Sequence, residues 1–107
     1  MKLTKKEQKN LENFHAYLLT CKKKQSIAEY AKMFGFKPSR LTSAFKEKYD
    51  KSLKRVELEV IMAYAMKQLI DGEKVLYIAT QLGYATIGSF GRAFKTVYDR
   101  NPSFYRY

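Results

Sequence analysis

The sequence predicts an all-α fold in which two tandem helix-turn-helix units are joined by a long connecting helix, about seven helices in all. Three observations carry this. A segment repeats inside the chain: Tyr30-Ala31-Lys32-Met33-Phe34-Gly35-Phe36 matches Ile78-Ala79-Thr80-Gln81-Leu82-Gly83-Tyr84, and Ala44-Phe45-Lys46-Glu47-Lys48-Tyr49-Asp50-Lys51 matches Ala93-Phe94-Lys95-Thr96-Val97-Tyr98-Asp99-Arg100. Apolar residues recur three and four positions apart in both copies, the period of an amphipathic helix, and no strand-like alternation stands out. A glycine follows the first apolar stripe of each copy, where a helix end favours left-handed backbone. The offset between copies is 48 residues in the first part and 49 in the second, so one residue is inserted between Tyr84 and Phe94.

The elements follow in order within one domain, 1–107. Leu11, Phe14, Tyr17 and Leu18 mark a first helix over about residues 4–20. The first unit covers about 26–50. Ser26 and Glu29 form an S-x-x-E capping box, Ile27, Tyr30, Ala31 and Phe34 share a face, Gly35 ends the helix, and Pro38 suits the first turn of the next. Leu41, Ala44, Phe45 and Tyr49 give that second helix its apolar stripe. The connecting helix covers about 52–71, with Leu53, Val56, Val60, Ala63, Ile61, Met62, Ala65 and Leu69 as apolar positions and Asp71-Gly72 as its end. At 1.5 Å per residue it spans roughly 28 Å. The second unit covers about 75–99. Val75, Ile78, Ala79 and Leu82 form its first stripe, Gly83 ends it, Thr86 is the N-cap of the next helix, and Phe90, Ala93, Phe94 and Val97 form the next stripe. Pro102 opens a last short turn through Phe104 and Tyr105.

The formal net charge is +11, and the excess is in both halves: twelve Lys/Arg against five Asp/Glu in residues 1–50, nine against five in 51–107. So large a surplus on one small domain points to a polyanionic partner, nucleic acid ahead of an anionic membrane surface. The single cysteine, Cys21, excludes an intrachain disulfide, and His15, six residues earlier, points elsewhere on a helix, so neither thiol catalysis nor a Cys/His metal site is expected. No apolar run reaches membrane-spanning length and no signal peptide is evident, so the chain is expected in the cytoplasm, with no membrane partner and no cofactor.

A helix-turn-helix leaves one face of its second helix for the core and one for the major groove of DNA. With Leu41 and Phe45 inward, the free face of the first unit is Ser39, Thr42, Ser43 and Lys46, with Arg40 beside it. With Phe90 and Phe94 inward, that of the second is Gly88, Arg92 and Lys95, with Thr86, Ile87 and Ser89 at the helix start. Arg40, Thr42 and Ser43 are candidates for base edges in the first unit and Arg92 in the second. Lys37, Lys46 and Lys95 are candidates for phosphate contacts or plain solvated surface. The connecting helix has about the length that separates neighbouring major-groove segments on one side of a duplex, roughly 34 Å. Helix-glycine-helix units also occur in plain bundles; two copies with cationic free faces favour DNA.

These residues resemble the DNA-binding domain of the AraC/XylS family of bacterial regulators, from about residue 10 to 107. The most specific part is Ile78-Ala79, then Gly83-Tyr84, then Phe90-x-Arg92-x-Phe94-Lys95, then Asn101-Pro102-x-x-Tyr105-Arg106, against a family pattern of I-A, G-F, F-x-R-x-F-K and T-P-x-x-Y-R. The first unit agrees at Ala31, Gly35, Leu41, Phe45 and Lys46. The resemblance implies two helix-turn-helix subdomains whose second helices read double-stranded DNA, promoter binding, often activation through RNA polymerase, and no catalysis. Most members also carry an effector-binding or dimerisation domain. None is expected within this chain, which is then a stand-alone member or a C-terminal fragment. The chain departs from the pattern at Ser43 and Ile61, where arginine is common, at Lys37, where serine usually caps, and at Gly88 and Gly91, where larger side chains are common. The principal alternative is a basic helical protein-interaction module. RNA binding is weaker, because the nine Tyr and seven Phe sit mostly at core spacing. An enzyme is weakest, with no carboxylate pair, metal-ligand cluster or phosphate loop.

Overall fold

The computed structural model describes residues 1–107 and contains helices without strands. Six α-helices run in order: α1 (Lys5–Leu18), α2 (Ile27–Phe34), α3 (Pro38–Tyr49), α4 (Leu53–Ile70), α5 (Val75–Gln81) and α6 (Ile87–Tyr98). A 3-10 turn at Pro102–Tyr105 completes the expected seven. The chain forms two compact units, one of Met1–Cys21 with Gln25–Glu57, the other of Lys22–Lys24 with Leu58–Tyr107, so α4 contributes to both.

The first unit is organised around Phe14. Thr4 starts α1 with a capping box, its Oγ1 accepting from Glu7 N and its own N–H donating to Glu7 Oε1, each at 3.0 Å. The helix then buries Leu11, Phe14 and Leu18, one stripe at helical spacing. The Phe14 ring centre lies 5.1 Å from that of Tyr30, 5.3 Å from Phe34 and 5.7 Å from Phe45, so one aromatic ties α1 to α2 and α3. His15 lies flat on Tyr49, ring centres 3.9 Å apart, which is ordinary α1–α3 packing. Gly35 ends α2 with φ +77°, and the Phe36 N–H turns back to Ala31 O at 2.9 Å. A side chain there would be strained by the backbone, not by lack of room. Ser26 caps α2 by accepting from Glu29 N at 3.1 Å. The expected reciprocal half of the box does not form: the Glu29 carboxylate accepts instead from the Ser26 hydroxyl, at 3.1 Å.

The buried face of α4 differs from the apolar run read along it. Leu53, Ile61, Met62, Ala65 and Leu69 are buried, whereas Val56 and Val60 are half-buried and Ala63 is exposed. Glu57 takes the position between Leu53 and Ile61 on the buried stripe and is only 2% exposed. Three groups from the same unit satisfy its carboxylate. The Tyr30 hydroxyl donates to Oε2, Gln25 N–H donates to Oε2 at 3.0 Å, and Lys54 Nζ pairs with Oε1 at 2.6 Å while also donating to Gln25 O at 2.8 Å. Burial, and then the hydrogen bond to Glu57, hold the Tyr30 phenol well above its usual pKa.

In the second unit Ile78, Ala79 and Leu82 of the α5 region and Phe90 and Phe94 of α6 are buried. An aromatic series runs Tyr84–Phe90–Phe94–Tyr105, with ring centres 5.7, 5.8 and 5.8 Å apart. Gly83 turns the chain with φ +91°, and Tyr84 N–H returns to Ala79 O at 3.0 Å, the counterpart of the Gly35 turn. The residue inserted in the second copy lies in this turn. Two residues, Phe36 and Lys37, separate Gly35 from α3, whereas three, Tyr84 to Thr86, separate Gly83 from α6, and both second helices have twelve residues. Tyr107 N–H donates to Leu69 O at 3.2 Å and Arg106 Nε to Glu73 O at 3.0 Å, closing the end of α4. No helix is long and apolar enough to cross a membrane.

Replacing Tyr30 by phenylalanine leaves a buried carboxylate one donor short. We expect the Tyr30→Phe chain to lose about 1–3 kcal/mol of stability in urea unfolding. A loss below about 0.5 kcal/mol, within the range of ordinary surface substitutions, would contradict the role given to this hydrogen bond.

Candidate nucleic-acid interface

Each second helix is amphipathic for the same reason. In α3, Leu41, Ala44 and Phe45 are buried, which turns Ser39, Thr42, Ser43 and Lys46 to the other side. Ser39, Ser43 and Lys46 are exposed, and so is Lys37, which precedes the helix without a side-chain capping bond. Thr42 is half-buried and its Oγ1 donates to Pro38 O at 3.0 Å. Its hydroxyl proton is thereby engaged, and what it presents outward is a methyl group and acceptor lone pairs.

Arg40 is not an open cation. Its Nε donates to Glu7 Oε2 at 2.6 Å, and its Nη2 donates to Glu7 Oε1 at 3.0 Å and to Lys2 O at 3.2 Å. This is the parallel two-bond geometry that makes arginine–carboxylate pairs strong. The guanidinium, followed by the Thr4 backbone amide, holds the Glu7 carboxyl at about 2, well below its usual value, and the carboxylate in turn raises the Arg40 pKa.

In α6, Phe90 and Phe94 are buried, and Ile87, Gly88, Arg92 and Lys95 face out. Ile87 is 48% exposed in the first turn of the helix. Thr86 and Ser89 are engaged with each other: Ser89 N–H donates to Thr86 Oγ1 at 3.0 Å and Ser89 Oγ to Thr86 O at 2.9 Å. They fix the start of α6, and Ser89 is half-buried. Beside the helix runs a groove of about 590 Å³, lined by Ile87, Gly88, Gly91, Arg92 and Lys95 with Val75 and Pro102 across from them. α6 contains no acidic residue, so the charges on its outward face, Arg92 and Lys95, are all positive.

Of the residues singled out from sequence, the structure brings Ser39, Thr42, Ser43 and Lys46 into one strip on α3, and Ile87, Gly88, Arg92 and Lys95 into one strip on α6. Arg40 is diverted to α1, and Thr86 and Ser89 are diverted to capping. The residue that sequence reading missed is Glu7. Its capping box with Thr4 was legible as T-x-x-E, but its pairing with a residue 33 positions later was not. Nowhere do three His, Cys, Asp or Glu side chains gather to hold a metal ion.

Because the Glu7 pKa is lower in the folded chain than its ordinary 4.5, the pair stabilises the first unit fully above about pH 4.5 and ceases to do so as pH falls toward 2. A carboxyl-carbon NMR titration should find the Glu7 midpoint near 2. A midpoint near the usual glutamate value, about 4.3, would mean that the pair does not hold in solution.

The comparisons with known proteins converge. The family model described as a helix-turn-helix domain matches residues 8–107. No curated protein matches the sequence. Among solved structures, the chain is similar to the C-terminal domain of AraT, a response regulator from Geobacillus stearothermophilus, with TM-score 0.77 and 20% identity over 99% of this chain and 87% of that one. It is similar to the C-terminal domain of the two-component response regulator yesN from Fusobacterium nucleatum, with TM-score 0.77 and 18% identity over 97% and 100%. It is also similar to a probable AraC family transcriptional regulator from Rhodopseudomonas palustris, with TM-score 0.69 and 19% identity over 95% and 94%. At such identities these likenesses establish the fold, while the family match spans nearly the whole chain. The protein belongs to the AraC-type helix-turn-helix family of DNA-binding transcription regulators.

Proposed function

We propose that the chain binds specific sequences in double-stranded DNA at bacterial promoters and regulates transcription there, α3 and α6 each entering a major groove. The observation that carries this reading is the pair of outward strips, each on the second helix of a glycine-turned unit, in a chain of net charge +11. Ser39, Thr42 and Ser43 contact base edges from α3. Thr42 does so as an acceptor and through its methyl group, since its proton is engaged by Pro38 O. Arg92 is the principal reader on α6. Lys37, Lys46 and Lys95 contact phosphates, and the Thr86–Ser89 cap sets the position at which α6 begins. In this reading the protein acts in the cytoplasm, calls on no catalysis, and meets RNA polymerase through surface outside the two strips.

Gly88 and Gly91 have a place in the same account. Neither has positive φ, and a Cβ at either would meet only ordinary contacts, Arg92 Nη1 at 3.5 Å and Pro102 Cδ at 4.0 Å. Neither backbone conformation nor internal packing calls for glycine, yet each costs the helix up to about 1 kcal/mol against alanine. Close approach of the α6 backbone to the duplex explains both, with specificity resting partly on DNA shape.

The test is selection from random duplexes at two salt concentrations. A bipartite motif with strongly salt-dependent binding is expected; no duplex binding even at low salt would favour a protein-interaction module instead. Arg92→Ala should remove about 1–3 kcal/mol of discrimination in one half-site, and an unchanged motif would refute its role. The Gly88→Ala and Gly91→Ala chains should melt at higher temperature but bind the selected duplex less tightly. Tighter or equal binding would contradict the close approach.

A further inference from the structure

We propose that Glu7 is a specificity-determining residue of the first unit: by holding Arg40 through two donors, it keeps the one arginine of α3 off the bases and leaves base reading there to the hydroxyl-bearing residues Ser39, Thr42 and Ser43. The inference rests on the DNA reading above and goes beyond it, because Glu7 lies on α1 and touches no strip that faces the duplex.

The supply of free donors decides what Arg40 can contact. Arginine recognises guanine by presenting two parallel N–H groups to O6 and N7. A guanidinium has five N–H donors on two usable edges. One edge of Arg40, Nε with Nη2, is closed by the Glu7 carboxylate at 2.6 and 3.0 Å. The other edge needs the second Nη2 proton, and that proton goes to Lys2 O at 3.2 Å. Only Nη1 remains, which cannot make the paired contact. The pair is also electrically neutral, so it offers a phosphate little attraction.

Glu7 is well built to hold this position. It is the N3 residue of the α1 capping box, with Oε1 accepting from Thr4 N at 3.0 Å, so its carboxylate is oriented by the helix start before Arg40 reaches it. Both side chains are partly withdrawn from water, Glu7 to 21% exposure and Arg40 to 38%, which weakens competition from solvent and salt. A residue outside the recognition helix thereby decides which side chains of that helix are available.

The experiment is duplex selection with the wild-type chain and the Glu7→Gln, Arg40→Ala and Glu7→Gln/Arg40→Ala chains. Glutamine at N3 still completes a capping box, so α1 is preserved while the charge that holds the guanidinium is removed. Circular dichroism melting of each chain verifies folding. The wild-type and Arg40→Ala motifs should agree at every position. Glu7→Gln should gain guanine at one position of the first half-site, by about fivefold or more, the scale of one bidentate contact, and the double variant should lose it again. As a second readout, the Arg40 Nε–H NMR signal should remain slowly exchanging when the wild-type chain binds its duplex. A guanine preference that is already present in the wild type and disappears in Arg40→Ala would overturn the proposal. So would an unchanged motif in Glu7→Gln, or a steeper salt dependence with no change in base preference. Failure of the wild-type chain to bind any duplex would sink the DNA reading itself, a different result from normal wild-type selection with unaltered variants.

Discussion

The left-handed turn after each first helix is the constraint on which both units depend. At Gly35 and Gly83 the backbone takes φ +77° and +91°, and the residue that follows donates back into the helix it has just left. That hydrogen bond fixes the exit angle, and the small, buried Ala31 and Ala79 allow the next helix to come close. With the angle set, Phe45 in one unit and Phe90 and Phe94 in the other occupy the core, and the opposite faces of α3 and α6 are outward by geometry alone. The repeat extends to the far ends, where Asp50 and Asp99 both take left-handed backbone and donate to Lys46 O and Lys95 O. The extra residue of the second copy is absorbed in the turn, where it brings Thr86 to the capping position.

On this shared scaffold both units seat their second helices on aromatic contacts, and the first adds polar ties. In the first unit Arg40 of α3 reaches Glu7 on α1, and Tyr30, Gln25 and Lys54 together satisfy the buried Glu57 of α4. Such a network is costly to leave half-made and therefore admits few alternative arrangements. The second unit relies on a series of tilted aromatic contacts and is opened along α6 by two glycines. In the proposed DNA reading, the first unit presents short hydroxyl side chains on a tightly held helix, and the second presents one exposed arginine above a bare helical backbone.

What was legible in the sequence follows from local periodicity. Helix stripes, both glycine turns, the Thr86 cap and the division of α3 and α6 into inner and outer faces all depend on residues within a turn or two of each other. What was not legible depends mostly on partners far apart. Glu57 was invisible as a core residue because a charged side chain interrupts an apolar pattern, and its burial is made tolerable by Tyr30 and Gln25, 27 and 32 positions earlier, together with the neighbouring Lys54. Arg40 looked like an outward-facing cation because nothing near it in sequence tells of Glu7. Val56, Val60 and Ala63 looked like core because aliphatic character does not distinguish a buried stripe from its margin. The groove beside α6 needs Pro102, which no helical repeat places against Gly91.

The most direct test of the central claim, that the outward strips of α3 and α6 meet DNA, is an amide NMR titration of the chain with a duplex carrying its selected motif. The account predicts that the largest shifts fall on Ser39, Thr42, Ser43 and Lys46 and on Ile87, Gly88, Arg92 and Lys95. Shifts centred instead on the exposed apolar residues Ile70, Phe104 and Tyr107, with α3 and α6 unmoved, would contradict it.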